Sequence, residues 1–93
     1  MLKIDWKKHK KYKIWNAEIG IVALRIMIIS YPNSFRYLPS VRIGTEGNNM
    51  RYGTERKSFL AAAQEAEQLA LGIVEDYKLA IESIEESMET YNG

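Results

Sequence analysis

From Phe59 onward one pattern limits what this chain can fold into. Phe59, Ala62, Ala66, Ala70, Ile73, Tyr77, Ala80, Ile84 and Met88 recur at three- and four-residue steps with no proline among them, the period of one buried helix face. Thr54 or Ser58 supplies a cap, and the spacing predicts one amphipathic helix to about Glu89, interrupted at most at Gly72. At about 1.5 Å per residue such a helix is roughly 45 Å long, whereas a seven-residue strand spans about 23 Å. The helix must therefore overhang whatever sheet it covers, break near Gly72, or pack on another copy.

The residues before it carry the other period. Trp15, Ala17 and Ile19 alternate with Ile14 and, further back, Tyr12; beyond Gly20, Leu24, Ile26 and Ile28 alternate with Ala23, Met27 and Ile29. Both are strand patterns, and the second is apolar on both faces, as in a central strand. Tyr31-Pro-Asn-Ser34 is a turn. Phe35 to Ile43 reads as a third strand, with Tyr37, Val41 and Ile43 on one face and Arg36, Ser40 and Arg42 on the other. Pro39 lacks an N–H to donate, which predicts an edge strand or a bulge there. Gly44 to Asn49 is turn chemistry, and Met50 to Tyr52 returns as a short fourth strand. The fold class expected is α+β, with a three- to four-stranded antiparallel sheet packed against one long C-terminal helix. With 93 residues there is one domain, divided into a basic leader (1–11), the sheet (12–53) and the helix (54–90).

Charge is split along the same line. Met1 to Ser58 holds 12 Lys and Arg against 4 Asp and Glu, while Phe59 to Gly93 holds 1 against 8. Two surfaces of opposite sign follow, each attracting partners of the other sign. On the helix, Glu75, Glu82, Glu86 and Glu89 lie opposite the core stripe, and Leu71 and Leu79 fall among them. These six residues form the candidate protein-binding face, and two leucines where water is expected suggest a homodimer or partner complex built there. A small-residue seam of Ala63, Ala66, Ala70, Ile73, Tyr77, Ala80 and Ile84 offers a heptad alternative. In the basic half, Lys7, Lys8, Lys10, Lys11, Lys13, Arg36, Arg42 and Arg51 are candidate phosphate contacts, with Trp6 or Tyr12 to stack on bases. The aromatic residues Trp15, Tyr31, Phe35 and Tyr37 make a second candidate docking face.

Catalytic groupings are scarce. His9 is the lone histidine and cysteine is absent, so no zinc site, disulfide or Cys/His pair is available. The glycines form no phosphate loop. Glu82, Glu85, Glu86 and Glu89 read as a solvated helix face, and no cofactor is expected. Glu18 and Arg25 confine the apolar run to Ile19 through Leu24, too short for a signal or membrane span. A cytoplasmic setting is the expectation.

Two resemblances carry the reading further. Strand-strand-strand-helix order with Tyr52-Gly-Thr-Glu-Arg-Lys57 before the helix resembles the arm-binding domain of phage-type integrases, which implies a sheet laid in the DNA major groove. Trp15-Asn-Ala-Glu-Ile-Gly20, then Leu24-Arg-Ile26, Thr54 and Phe59-Leu-Ala-Ala-Ala-Gln-Glu-Ala66 resemble small uncharacterised proteins of phages and mobile elements. That likeness implies binding to host machinery, including inhibition of defence systems such as CRISPR effectors, with an acidic helix imitating a nucleic-acid backbone for a basic groove. A non-enzymatic protein-binding module is the first expectation, and a nucleic-acid binder using the basic half is the alternative.

Overall fold

The structure, a computed structural model, describes residues 4–44 and 50–92, with side chains described as far as Met88. Residues 45–49 of the predicted Gly44–Asn49 turn and the Glu89 side chain lie outside the described residues. Five strands form one antiparallel meander in the order β1 (Lys7–Lys8), β2 (Ile14–Ile19), β3 (Val22–Tyr31), β4 (Ser34–Ile43) and β5 (Met50–Tyr52). One helix, α1 (Phe59–Asn92), lies across one face. The α+β expectation holds with one more strand than expected. That strand comes from the leader, where Lys7 pairs with Asn16 and Lys8 with Trp15.

Two-residue hairpins set the register. Ile19 pairs with Val22, and Gly20 between them has φ of 60° while Ile21 keeps a negative φ, the backbone of a type II′ turn. Tyr31 pairs with Ser34 around Pro32 and Asn33. Pairing is unbroken from Val22–Ile43 to Tyr31–Ser34, so β4 has no bulge against β3, and it lies between β3 and β5 instead of at the rim. Pro39 is accommodated another way. Tyr37 exchanges both backbone hydrogen bonds with Arg56, and the Pro39 carbonyl accepts from Gly53 N–H at 2.9 Å. The nitrogens of β4 at odd numbers thus face β5, and Pro39 meets the gap between the β5 ladder and the Tyr37–Arg56 bridge, where no N–H is required.

The strand period sends Ala17, Val22, Leu24, Ile26 and Val41 under the helix, where Ala62, Ala66, Ala70 and Ile73 cover them. Alanines bring the helix close to the sheet. At its start, Phe59 sits among Trp6, Trp15 and Tyr37, with ring centroids 5.8, 5.0 and 6.2 Å away. Ser58 is the cap, its Oγ accepting from Ala61 N–H at 3.1 Å. Thr54 has a different task. Glu65 accepts from Thr54 N–H at 2.8 Å and from Arg56 Nε and Nη2 at 3.1 and 3.0 Å, a clasp that ties the chain after β5 to the first turns of the helix. Gly53 makes room for it, since a Cβ there would stand 2.6 Å from the Glu65 carboxylate and 2.8 Å from Pro39.

Gly72 does not break the helix, which runs 34 residues, or about 51 Å. The sheet covers only Phe59 to Ile73. The molecule is therefore 64 Å long and 25 by 22 Å across, with a radius of gyration of 16.5 Å, against about 12 Å for a compact chain of this length.

Candidate functional site: the helical arm and the open sheet face

Beyond Ile73 the helix leaves the sheet at the β2–β3 turn and continues as an arm whose described side chains are all exposed. The arm is not uniformly polar. Val74, Tyr77, Ile81, Ile84 and Met88 stand at alternating three- and four-residue steps and are 51, 45, 54, 59 and 58% exposed. Taking about 100° per residue, this seam continues the stripe that the sheet buries at Ala66, Ala70 and Ile73. What changes at Ile73 is the neighbour, not the pattern. Below the seam, Ile21 and Ile43 at the end of the sheet join Val22, Val74, Tyr77 and Ile81 in a groove of about 600 Å³, edged by Lys78, Glu82 and Glu85.

The predicted acidic face lies on the other side of the arm. Glu75, Leu79, Glu82 and Glu86 are exposed there, and Glu89 extends the same row along the helix backbone. Leu71 is exposed closer to the sheet, beside a shallow depression with Arg56, Gln64 and Gln68. Of the six predicted residues, the five with described side chains, Leu71, Glu75, Leu79, Glu82 and Glu86, share one elongated surface, and the apolar seam is not among them. Val74 and Ile81 fall outside the Ala66, Ala70, Ile73, Tyr77 stripe that the sequence period assigns to the sheet-facing side. The 74-77-81-84-88 spacing was the available signal. The alanine seam cannot serve a partner in its first half, since Ala66, Ala70 and Ile73 are buried against the sheet.

The basic residues divide among several places. Register puts Lys7, Arg25, Arg36 and Arg42 on the sheet face opposite the helix. Arg25 and Arg42 border a depression of about 290 Å³ with Asn16, Glu18, Ser40 and Met50. Arg25 Nε donates to Asn16 Oδ1 at 3.4 Å, and Arg36 lies 6.0 Å over the Tyr31 ring. Arg25, which in the sequence bounds the apolar run from Ile19 to Leu24, thus belongs to the basic side of the sheet. Arg51 is on the helix side, paired with Asp76. Lys8 ends β1, and Lys10, Lys11 and Lys13 occupy the bend after it. His9 organises that bend by accepting at Nδ1 from the N–H groups of Lys11 and Tyr12, at 3.0 and 3.2 Å.

The aromatic docking face does not assemble. Tyr31 lies on the open side, whereas Trp15, Phe35 and Tyr37 have helix-side parity, and Trp15 and Tyr37 pack on Phe59. Trp6 also packs on Phe59 instead of being presented to a base. Two acids have perturbed surroundings. The Arg56 guanidinium, helped by the Thr54 N–H, holds the Glu65 carboxyl below its ordinary value, and a hydrogen bond to Glu55 raises the Tyr31 phenol. Both belong to exposed or structural contacts. Among the described residues no three His, Asp or Glu side chains gather as a metal site, and no helix is long and apolar enough to cross a membrane. Comparison with protein-family models, curated proteins and solved structures found no match.

Proposed function

We propose that this chain is a non-enzymatic protein-binding module whose working part is the helical arm. The observation that carries the reading is an arm that leaves its own sheet while keeping an apolar seam on one side and a carboxylate row on the other. From Val74 to Met88 it holds five acids against one lysine, a field that attracts a basic surface. Following the likeness to phage and mobile-element proteins, the specific form of the proposal is an inhibitor that presents Glu75, Glu82 and Glu86 to a groove built for a nucleic-acid backbone, such as that of a host defence effector.

A second reading has its own support. Lys7, Arg25, Arg36 and Arg42 share the sheet face that the helix leaves open, and four cations on one side of a sheet suit a phosphate backbone. Affinity capture from host extract separates the two. The expected result is a retained basic protein, lost with Glu75→Lys, Glu82→Lys and Glu86→Lys together, and unchanged by nuclease or by Arg25→Ala, Arg36→Ala and Arg42→Ala together. Retention of nucleic acid that depends on the arginines and ignores the glutamates selects the second reading.

A further inference from the structure

We infer that the apolar side of the arm is the seam of a homodimer, covered by the arm of a second copy running antiparallel to it. The inference rests on the arm being a docking surface and names one occupant for its seam, with the carboxylate row on the outer side of the pair.

The argument begins with spacing. With Val74, Ile81 and Met88 at position a and Tyr77 and Ile84 at position d, the arm is a two-heptad coiled-coil seam. All five residues are about half exposed, and the end of the sheet at Ile21 and Ile43 supplies a floor under the first of them. Two arms with these floors bring on the order of 1,000 Å² together, the size at which an interface becomes specific.

Charge selects both the partner and its direction. Position e is held by Lys78 and Glu85, and position g by Ala80 and Ser87. In an antiparallel pair e faces e and g faces g. Setting Ile81 against Ile84 of the second copy places Tyr77 against Met88 and brings Lys78 beside Glu85, and the two-fold axis repeats each pairing. On the g side two small residues meet two small residues and allow close approach. A parallel pair would set e against g, where Lys78 and Glu85 find only Ala80 and Ser87. Glu82 stands at the edge of the groove beside Lys78, while Glu75 and Glu86 lie on the outer side of the arm in either case. The outer-side charges of the two copies are therefore held apart across two helix diameters, about 20 Å, beyond a Debye length at physiological salt.

Equilibrium sedimentation of the full chain across a concentration series tests this, with circular dichroism to confirm that each variant folds. The wild type is expected to be a dimer. Ile81→Glu should weaken it at least about 100-fold, and Leu79→Glu, on the outer face, should leave it unchanged. Lys78→Glu should weaken it about tenfold, and adding Glu85→Lys should restore it. Since the chain has no cysteine, Ile81→Cys with Ile84→Cys gives a direct check of register, expected to cross-link two copies on oxidation. A monomer at millimolar concentration overturns the inference. So does a dimer indifferent to Ile81→Glu, or one that the charge swap fails to restore. Capture by the glutamates is read independently: a monomeric wild type that still retains its partner through them would sink the dimer and leave the proposed function standing.

Discussion

Two halves of one helix carry the same stripe and meet different surroundings. From Phe59 to Ile73 the middle of the stripe is small, with Ala62, Ala66 and Ala70 buried against the sheet between the larger Phe59 and Ile73. From Val74 onward they are Val, Tyr, Ile, Ile and Met, and water reaches each of them. Small residues suit a helix pressed onto the flat face of a sheet, whereas large ones at heptad spacing suit insertion between the side chains of another helix. The change in side-chain size at Ile73 therefore marks the point where one kind of partner ends and another begins. Apolar residues stabilise the fold where the chain covers them itself and are available for association where it does not.

The sharpest way to break that comparison is to truncate one isoleucine in each half. Ile73 is 2% exposed, so Ile73→Ala should lower unfolding stability by about 2–5 kcal/mol through lost burial and the cavity left behind. Ile81→Ala should change it by no more than about 0.5 kcal/mol when measured at a concentration where the chain is monomeric. Urea denaturation of the two variants reads the contrast. Equal losses would mean that the arm is covered within its own chain.

Much of this division is legible in the sequence. The strand period places Arg36 and Arg42 opposite Val41, the cap is narrowed to Thr54 or Ser58, and the mismatch between helix and strand lengths requires an overhang, a break or a second copy. Other features had no local signal. β1 is two residues long, too short to show a period. Pro39 argued for an edge, yet its nitrogen meets a gap that arises only because the chain after β5 turns toward Glu65. Trp6 looked like a stacking residue beside lysines because nothing in the leader shows that Phe59 will sit over it. Tyr31 was grouped with Trp15 and Tyr37 by composition, although strand parity was sufficient to separate them.

The clasp between the sheet and the covered half supplies the next two tests. Gly53→Ala pushes a methyl into the Glu65 carboxylate and Pro39, and should lower stability by about 1–3 kcal/mol as the hydrogen bonds to Thr54 and Arg56 are displaced. The arm should keep its helicity, so the far-ultraviolet spectrum stays while the denaturation midpoint falls. Acid reads the same contact. The Glu65 carboxyl is held below its ordinary value of 4.5 chiefly by Arg56, so its stabilisation is full above that value and disappears as pH falls through the lower, folded one. Wild type should therefore exceed Glu65→Gln in stability at neutral pH, with the gap closing below about pH 4.5. A gap constant with pH would remove the charge from the account.

The smallest effect expected lies at the boundary itself. Gly72 is inside the helix just before the sheet ends, and glycine there costs roughly 0.5–1 kcal/mol relative to alanine through backbone entropy. The space is open, because a Cβ would approach the Arg51 guanidinium no closer than 3.7 Å, an ordinary contact. Gly72→Ala should therefore raise the denaturation midpoint slightly and leave the Arg51–Asp76 pair in place. Were the arm instead hinged at Gly72, with a bend required for docking, the same change would strengthen the fold and weaken association in the sedimentation series. Unchanged or tighter association identifies a straight, continuous arm, in which the two halves differ only in what covers them.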